Sequence, residues 1–564
     1  MELKIKSVSN LALLVVILVA IVNHFFTFMA YDWYDGIDGY SYNICGLQLV
    51  SGRVFDLFPI LFRPFLIPII KNLLYLIFEG RPYALIIFVH LIGVLTALLA
   101  YRLGSRFHKV VGLAMGILFA SSIQMSVHFH HISTFTFFVP LLLLAADCFV
   151  SWAKKPNMRS LILLIIVTSL CFLSRLEAII LIPIFAIFGW FIHRNIKQIA
   201  LYLLTSIIIY NFFCFIYYKN FGYWGITYNT GWSLFTRISR AEDRQFDPKN
   251  GPASMKIYNY MSQEWPKRVK DLDFYRFQMF TFSLAQKELG LIEADRLFMK
   301  AGIEAIRKAP WKFIKFTFLR VLGQLDLYYT PGLSHREFLS GAYETDSGHM
   351  WGFEGKRMLE NSQRFEHWRD VISKLDSPLE WEKRAIKARL LRLIGFRKEI
   401  PDLPESFRMI QIVELKPSGE IEWAVCGDSN MTERLWYCRD LDVYFFLKYW
   451  GKKEWSKFAL KTLEKWDKFA PRGAFRINIH RIMWILWIIG IFTVRERRRS
   501  LSLAAFLFIV ISYGFCQAIF SDNFGGRFEL YMRSFLWLGS LCGILGIVKL
   551  CQKKSRRIKL DTDK

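Results

Sequence analysis

Charged residues make up only 21% of this 564-residue chain, against 54% hydrophobic and 17% aromatic residues. A soluble protein of that length cannot cover so much apolar side chain with so little polar surface. Acidic residues are the scarcer sign, 47 against 73 lysines and arginines, for a formal net charge of +26. The chain also lacks a Gly-rich phosphate loop, zinc-finger spacing and an RNA-binding aromatic signature, so the excess charge does not point to nucleic acid. None of the nine cysteines forms a CxxC pair. Cys148, Cys171, Cys214, Cys516, Cys542 and Cys551 lie in or beside apolar runs and read as small hydrophobes. Cys426 and Cys438 share a hydrophilic segment and could pair only in an oxidising space. There are no repeats or low-complexity tracts. No small-x-small cleavage site ends the first apolar run, which therefore reads as a retained anchor.

What the chain does have is apolar runs of membrane-helix character. Ten spans are expected: 11–31, 83–101, 110–127, 132–150, 161–173, 178–192, 199–218, 482–494, 501–520 and 534–550. Basic residues cluster in the short gaps. Lys4/Lys6, Arg102/Arg106/Lys109, Lys154/Lys155/Arg159, Arg194/Lys197, Arg495 to Arg499 and Lys553 to Arg557 fall on one side if each span crosses once. The positive-inside rule makes that side cytoplasmic, with both termini there and a plasma (inner) membrane location. The gaps also suit contact with anionic membrane lipids.

Three parts follow. Residues 1–218 form a transmembrane core with a first outer loop, 32–82; 219–480 form an extracytoplasmic segment; 481–564 return to the membrane and end in a cytoplasmic tail. In the first loop, 54–78 is apolar but broken by Pro and Arg, and suits the outer interface. The large segment carries amphipathic helical patterns at 293–308, 311–327, 381–394 and 441–466, and an alternating stretch, 409–425, that reads as a hairpin around Pro417–Gly419. The fold class is an all-α polytopic bundle with a mixed, mainly helical outer segment.

The arms 161–173 and 178–192 hold only 13 and 15 residues, short of the ~20 needed to span. The turn between them, Ser174-Arg175-Leu176-Glu177, should therefore sit recessed. Ionisable groups at depth are costly unless they face a cavity, which makes Arg175 and Glu177 functional candidates. Asp35 and Asp38 follow the first span, where a carboxylate can take a proton from an acceptor hydroxyl or simply lend polarity to a Gly-rich turn. Arg63 and Arg527 lie at the outer interface. Each can hold a phosphate through two parallel hydrogen bonds or snorkel to a headgroup. His128, His130 and His131 cluster in another outer loop; a metal role competes with plain interface histidines there.

In order, these pieces resemble the C-type (GT-C) membrane glycosyltransferases, in the branch of protein O-mannosyltransferases and aminoarabinose transferases. An acid, a Tyr and a short helix ending in Gly match Asp38-Gly39-Tyr40-Ser41-Tyr42 through Leu49-Val50-Ser51-Gly52. The family's Arg-Pro-rich interfacial helix is similar to Arg63-Pro64-Phe65-Leu66-Ile67-Pro68, and its Arg-Pro-Glu-like turn to Ser174-Arg175-Leu176-Glu177-Ala178. Gly231-Trp232-Ser233-Leu234-Phe235-Thr236-Arg237 resembles a segment of some bacterial members, and 301–318 an outer element of theirs. The likeness covers most of 1–240. It departs where a second acid is common, at Gly39, and where His131-Ile132-Ser133-Thr134 replaces a loop carboxylate.

The resemblance implies an enzyme that transfers a hexosyl or pentosyl group from a polyprenyl- or dolichyl-phosphate sugar. Asp38 would act as base, with Asp35 beside it, and arginines would hold the lipid phosphate. Its partners would be the lipid-linked donor, membrane lipids and a glycan, lipid or protein acceptor. No cofactor is required, a divalent ion being the one open addition. Sidedness argues for the same donor, because nucleotide sugars are cytosolic whereas every candidate residue faces outward. A transporter or flippase is the alternative; it would favour inverted repeats and broken helices in both halves, and only one short-helix pair is present.

Overall fold

The computed structural model describes residues 2–30, 82–129, 134–227, 230–239, 245–264, 288–325, 411–415, 421–425, 473–520 and 527–562, with a few isolated positions between them. The protein is a polytopic membrane protein, and its described residues form helices and turns apart from one small hairpin. Among the described residues, seven helices are long and apolar enough to cross a bilayer. Three shorter apolar helices, Lys109–Ser121, Met158–Ser174 and Asn478–Thr493, lie at the other three expected span positions.

The first helix, α1 (Glu2–Ala30), packs against α2 (Pro82–Phe107) and α3 (Lys109–Ser121). Small residues permit the close approach. A Cβ on Gly104 would come within 2.8 Å of the Gly112 backbone, and one on Gly116 within 2.7 Å of Val16. The span expected over 110–127 is not continuous. It breaks at Ser122 into α3 and α4 (Ile123–Phe129). Asn23 on α1 caps the break, its Nδ2 donating to Ala120 O (2.9 Å) and to Ser122 O (3.2 Å), which also accepts from Ser126 N.

Next come α5 (Thr134–Lys154) and α6 (Met158–Ser174), a 3₁₀ turn (Leu176–Ile180), α7 (Leu181–His193) and α8 (Ile196–Phe221). Asn157 caps α6 by accepting from Ser160 N at 2.8 Å, and Asn195 caps α8 by accepting from Gln198 N at 3.2 Å. Gly222 ends α8 at φ +67°, the left-handed conformation that a side chain would oppose. The two arms are longer than their apolar runs: α6 has 17 residues and the next candidate span, Leu176–His193, has 18. The gain comes from the polar first turn at Met158 and from the 3₁₀ turn. At 1.5 Å per residue α6 rises roughly 26 Å, so the turn at Arg175 is recessed by about one helical turn, not more.

Beyond α8, α9 (Thr230–Ile238), α10 (Pro252–Glu264) and α11 (Leu291–Lys308) form a second core around Phe235, Ile257 and Phe298. Two carboxylates on α11 organise it. Asp295 accepts from Gly231 N (3.0 Å) and Trp232 N (2.8 Å) at the start of α9. Glu304 accepts from Ala253 N (3.0 Å), Ser254 N (2.8 Å) and Ser254 Oγ (2.8 Å) at the start of α10. Both place negative charge where helix N–H groups have no internal partner. Then follow α12 (Pro310–Gln324) and an antiparallel hairpin of β1 (Gln411–Leu415) and β2 (Ile421–Val425), with Val413 opposite Trp423. The two strands fall inside the alternating stretch 409–425, and α11 and α12 match two of the amphipathic patterns. The patterns at 381–394 and almost all of 441–466 lie outside the described residues.

The C-terminal helices are α13 (Gly473–Thr493), α14 (Arg497–Phe520) and α15 (Arg527–Thr562). α13 starts nine residues before the expected span because a polar turn around Arg476 and Asn478 continues the helix beyond the apolar run. Its seam with α15 runs along Gly490, Gly539, Gly543 and Gly546; a Cβ on Gly543 would collide with Leu486 O.

The basic gaps meet at one end of the bundle. Arg498 Nη1 donates to Lys154 O (2.7 Å), Arg499 Nη1 to Phe107 O (3.0 Å) and Gln198 Nε2 to Pro156 O (3.2 Å). Buried Asp147 pairs there with Arg102 (2.9 Å) and Arg106 (2.8 Å). Four of the gaps that sequence assigns to one side are thus joined by direct contacts.

Candidate functional site

Helix α6 stops because Arg175 is extended, at φ −149° and ψ 121°, and the chain restarts as a 3₁₀ turn carrying Glu177. The Ser174 hydroxyl donates to Cys171 O at 2.7 Å and closes the last turn. Arg175 projects at the end of the bundle opposite the basic gaps. Its Nη2 pairs with Glu177 Oε1 at 2.9 Å, and its Nη1 donates to Thr134 Oγ1 at 3.2 Å. The guanidinium carbon stands 5.9 Å from the centroid of the Phe138 ring, which stacks on Tyr513 of α14. One turn further along α14, Gln517 Nε2 donates to the same Glu177 oxygen at 2.6 Å. Arg175 is 11% exposed and Glu177 28%, so the pair keeps an open edge.

Gln517 itself is buried, and its Oε1 accepts no hydrogen bond in the described structure. Sequence reading passed over it because an amide inside an apolar run carries little signal of its own. The next residue, Ala518, receives the other end of the assembly. Arg237 Nε donates to Ala518 O at 3.1 Å, Nη2 to Thr317 Oγ1 at 2.8 Å, and the guanidinium lies 4.3 Å from the Phe313 ring centroid. Arg237 closes the Gly231–Arg237 segment and is fully buried. Its contacts lock α9 and α12 onto α14 beside the Glu177 turn.

A second polar group missed in the sequence lies between α1, α2 and α4. His24 Nδ1 and His90 Nδ1 are 2.8 Å apart, both buried, so a single proton bridges them. Thr27 Oγ1 meets Ser126 Oγ at 2.7 Å, and Ser126 donates to Asn23 Oδ1 at 3.3 Å. The ring of Phe129 touches both His24 (5.8 Å) and Phe135 (5.2 Å), next to Thr134. The rule that ionisable groups inside a span are candidates would have found His24 and His90.

Of the candidates read from sequence, Arg175 and Glu177 come together as an ion pair. His128 is buried against Phe135, 4.9 Å between ring centroids. Arg527 is the first residue of α15. Asp35, Asp38, Arg63, His130, His131, Cys426 and Cys438 lie outside the described residues. Among the described residues, no three or more His, Cys, Asp or Glu side chains gather as a metal site.

Residues 62–230 match the model of a family described as dolichyl-phosphate-mannose-protein mannosyltransferase. The matched region is under a third of the chain, begins twenty residues before α2, ends at the start of α9 and contains the whole Arg175–Glu177 turn. It supports a membrane glycosyltransferase that draws on a lipid-linked sugar. No curated protein and no solved structure matches.

Proposed function

We propose that this protein transfers a hexosyl or pentosyl group from a polyprenyl- or dolichyl-phosphate donor to an acceptor on the outer or lumenal side of its membrane, as the protein O-mannosyltransferase and aminoarabinose transferase branch does. The observation that carries the reading is the recessed Arg175–Glu177 pair, held by Gln517 and lying inside the matched region. A guanidinium at that depth suits a phosphate that arrives through the bilayer, because its planar fork of donors fits two phosphate oxygens.

In this mechanism the acceptor hydroxyl oxygen attacks the anomeric carbon while the bond from that carbon to the phosphate oxygen breaks. Asp38 takes the hydroxyl proton; Asp35 is the other candidate base. The lipid phosphate leaves with the bonding electrons, and Arg175 meets its charge together with Arg63 and Arg527. Glu177 and Gln517 orient Arg175, and Gln517 Oε1 offers an acceptor to a sugar or acceptor hydroxyl. The protein sits in the plasma (inner) membrane with both termini cytoplasmic and the site facing outward.

Lipid analysis of a deletion strain tests the reading. It should accumulate a sugar-phosphate polyprenyl lipid and lack sugar on one acceptor class. Unchanged lipid and glycan profiles would refute it.

A further inference from the structure

Helix α12 divides into three sectors. At about 100° per residue, Phe313, Thr317, Arg320 and Val321 point to one side, Trp311, Ile314 and Phe318 to the next, and Lys312 and Lys315 to a third. The first sector faces protein: Thr317, Arg320 and Val321 are buried. The second is exposed although wholly apolar, Trp311 at 79%, Ile314 at 53% and Phe318 at 53%. The third is exposed and basic, and Arg307 and Lys308 at the end of α11 are exposed next to it.

The tilt of α12 follows from its contacts. Through Arg237, Phe313 O is tied to the level of Ala518 O, while Leu325 and Val321 lie against Gly514. From Phe313 to Leu325 the helix rises roughly 18 Å, yet from Ala518 to Gly514 α14 advances only about 6 Å. Helix α12 therefore crosses the outer end of a membrane span obliquely, lying more along the bilayer surface than through it. The span beneath it carries exposed Phe508 (54%) and Phe515 (40%), so apolar surface continues from α14 towards lipid.

We propose that α12 is an interfacial helix that beds this end of the protein in the adjacent leaflet. Ile314 and Phe318 enter the acyl region, and Lys312 and Lys315, with Lys308 at the end of α11, meet the phosphates of anionic lipids. An exposed apolar strip beside a basic one, parallel to the membrane, is the arrangement that such a surface recognises. Trp311 at the N-terminal end suits the headgroup boundary, where amphipathic rings concentrate. The bedding fixes the height of α14, and with it the height of Gln517 and the Glu177 turn.

Spin labels test this in the full chain, reconstituted in nanodiscs of phosphatidylethanolamine and phosphatidylglycerol. Single substitutions Ile314→Cys, Phe318→Cys, Lys315→Cys and Arg307→Cys are made in a background without other cysteines. Collision with oxygen should exceed collision with a nickel chelate at 314 and 318, and the ratio should reverse at 315 and 307. Replacing phosphatidylglycerol by phosphatidylcholine should make 314 shallower. Nickel access at 314 and 318 would overturn the proposal, since the face would then meet water. Low access to both reagents would overturn it too, because protein would cover the face, and dipolar broadening at 314 would identify a second copy. Should the cysteine-free chain fail to fold, the native protein serves. Lipids with an acyl-chain diazirine should label the tryptic peptide 316–320, and its absence among labelled peptides from photolysed nanodiscs would reject the insertion.

Discussion

Gln517 donates to Glu177 across 2.6 Å, joining two residues 340 positions apart in the chain. The bond ties a helix of the C-terminal group to the turn that carries Arg175. Glu177 holds both partners on one oxygen, so the orientation of the guanidinium depends on α14 as well as on its own turn.

Gln517→Leu should therefore damage transfer without unfolding the protein. It removes a hydrogen bond to a charged group, an interaction of about 1.5–3 kcal/mol, and the expected loss in kcat/KM is about ten- to hundredfold. The melting temperature in detergent should stay near the parental value. Gln517→Glu should fall further, because two carboxylates would then meet. Parental activity in the Leu variant would detach α14 from the site.

The proposed base is tested by Asp38→Asn, which keeps size but cannot take a proton. Lost general-base catalysis costs about 10²–10⁴ in rate, and transfer should fall into that range while donor binding persists. Asp35→Asn is the comparison. An inactive Asp35 variant beside an active Asp38 variant would move the base by three residues; two fully active variants would remove the first-loop acid from the mechanism.

The two carboxylates of α11 respond to pH in opposite senses. Burial alone would raise the Glu304 carboxyl, but the Ala253 and Ser254 N–H groups and the Ser254 hydroxyl outweigh it and hold the group below its ordinary value of about 4.5. Its contribution to stability is thus present above that value and lost as pH falls through the lower folded one. Burial of Asp295 outweighs its bonds from Trp232 and Gly231 and raises it above about 3.8, so its ionisation opposes folding as pH rises through that range. Glu304→Gln should flatten the acid limb of a melting-temperature profile. An acid limb identical to that of the parent would show that this cap does not titrate with folding.

Much of the fold was legible because apolar runs announce membrane helices directly. The ten expected runs overlap helices, that over 110–127 in two pieces; α11 and α12 overlap the amphipathic stretches read for them, and both strands lie inside the alternating one. The break at Ser122 was not legible, since the side chain that donates to the carbonyls around it, Asn23, lies some hundred residues away. The length of α6 was underestimated because its first turn, Met158-Arg159-Ser160, is polar and Asn157 caps it. At the site, Arg175 and Glu177 stood out as ionisable residues between short arms. Thr134, Gln517 and Ala518 did not, because an ordinary residue becomes part of a site only when packing brings a charged one to it. The His24–His90 pair was readable in principle, each residue being ionisable within an apolar run.

The central claim is that Arg175 holds the lipid phosphate of the donor. Its most direct test measures transfer by the reconstituted protein while donor and acceptor are varied separately, for the parent, Arg175→Ala and Arg175→Lys. The account predicts that Arg175→Ala raises the apparent donor KM far more than the acceptor KM. Arg175→Lys should recover only part of the loss, because a point charge cannot reproduce the two-pronged contact. An unchanged donor KM in Arg175→Ala, with any loss confined to melting temperature, would contradict the account and leave Arg175 as the structural partner of Glu177.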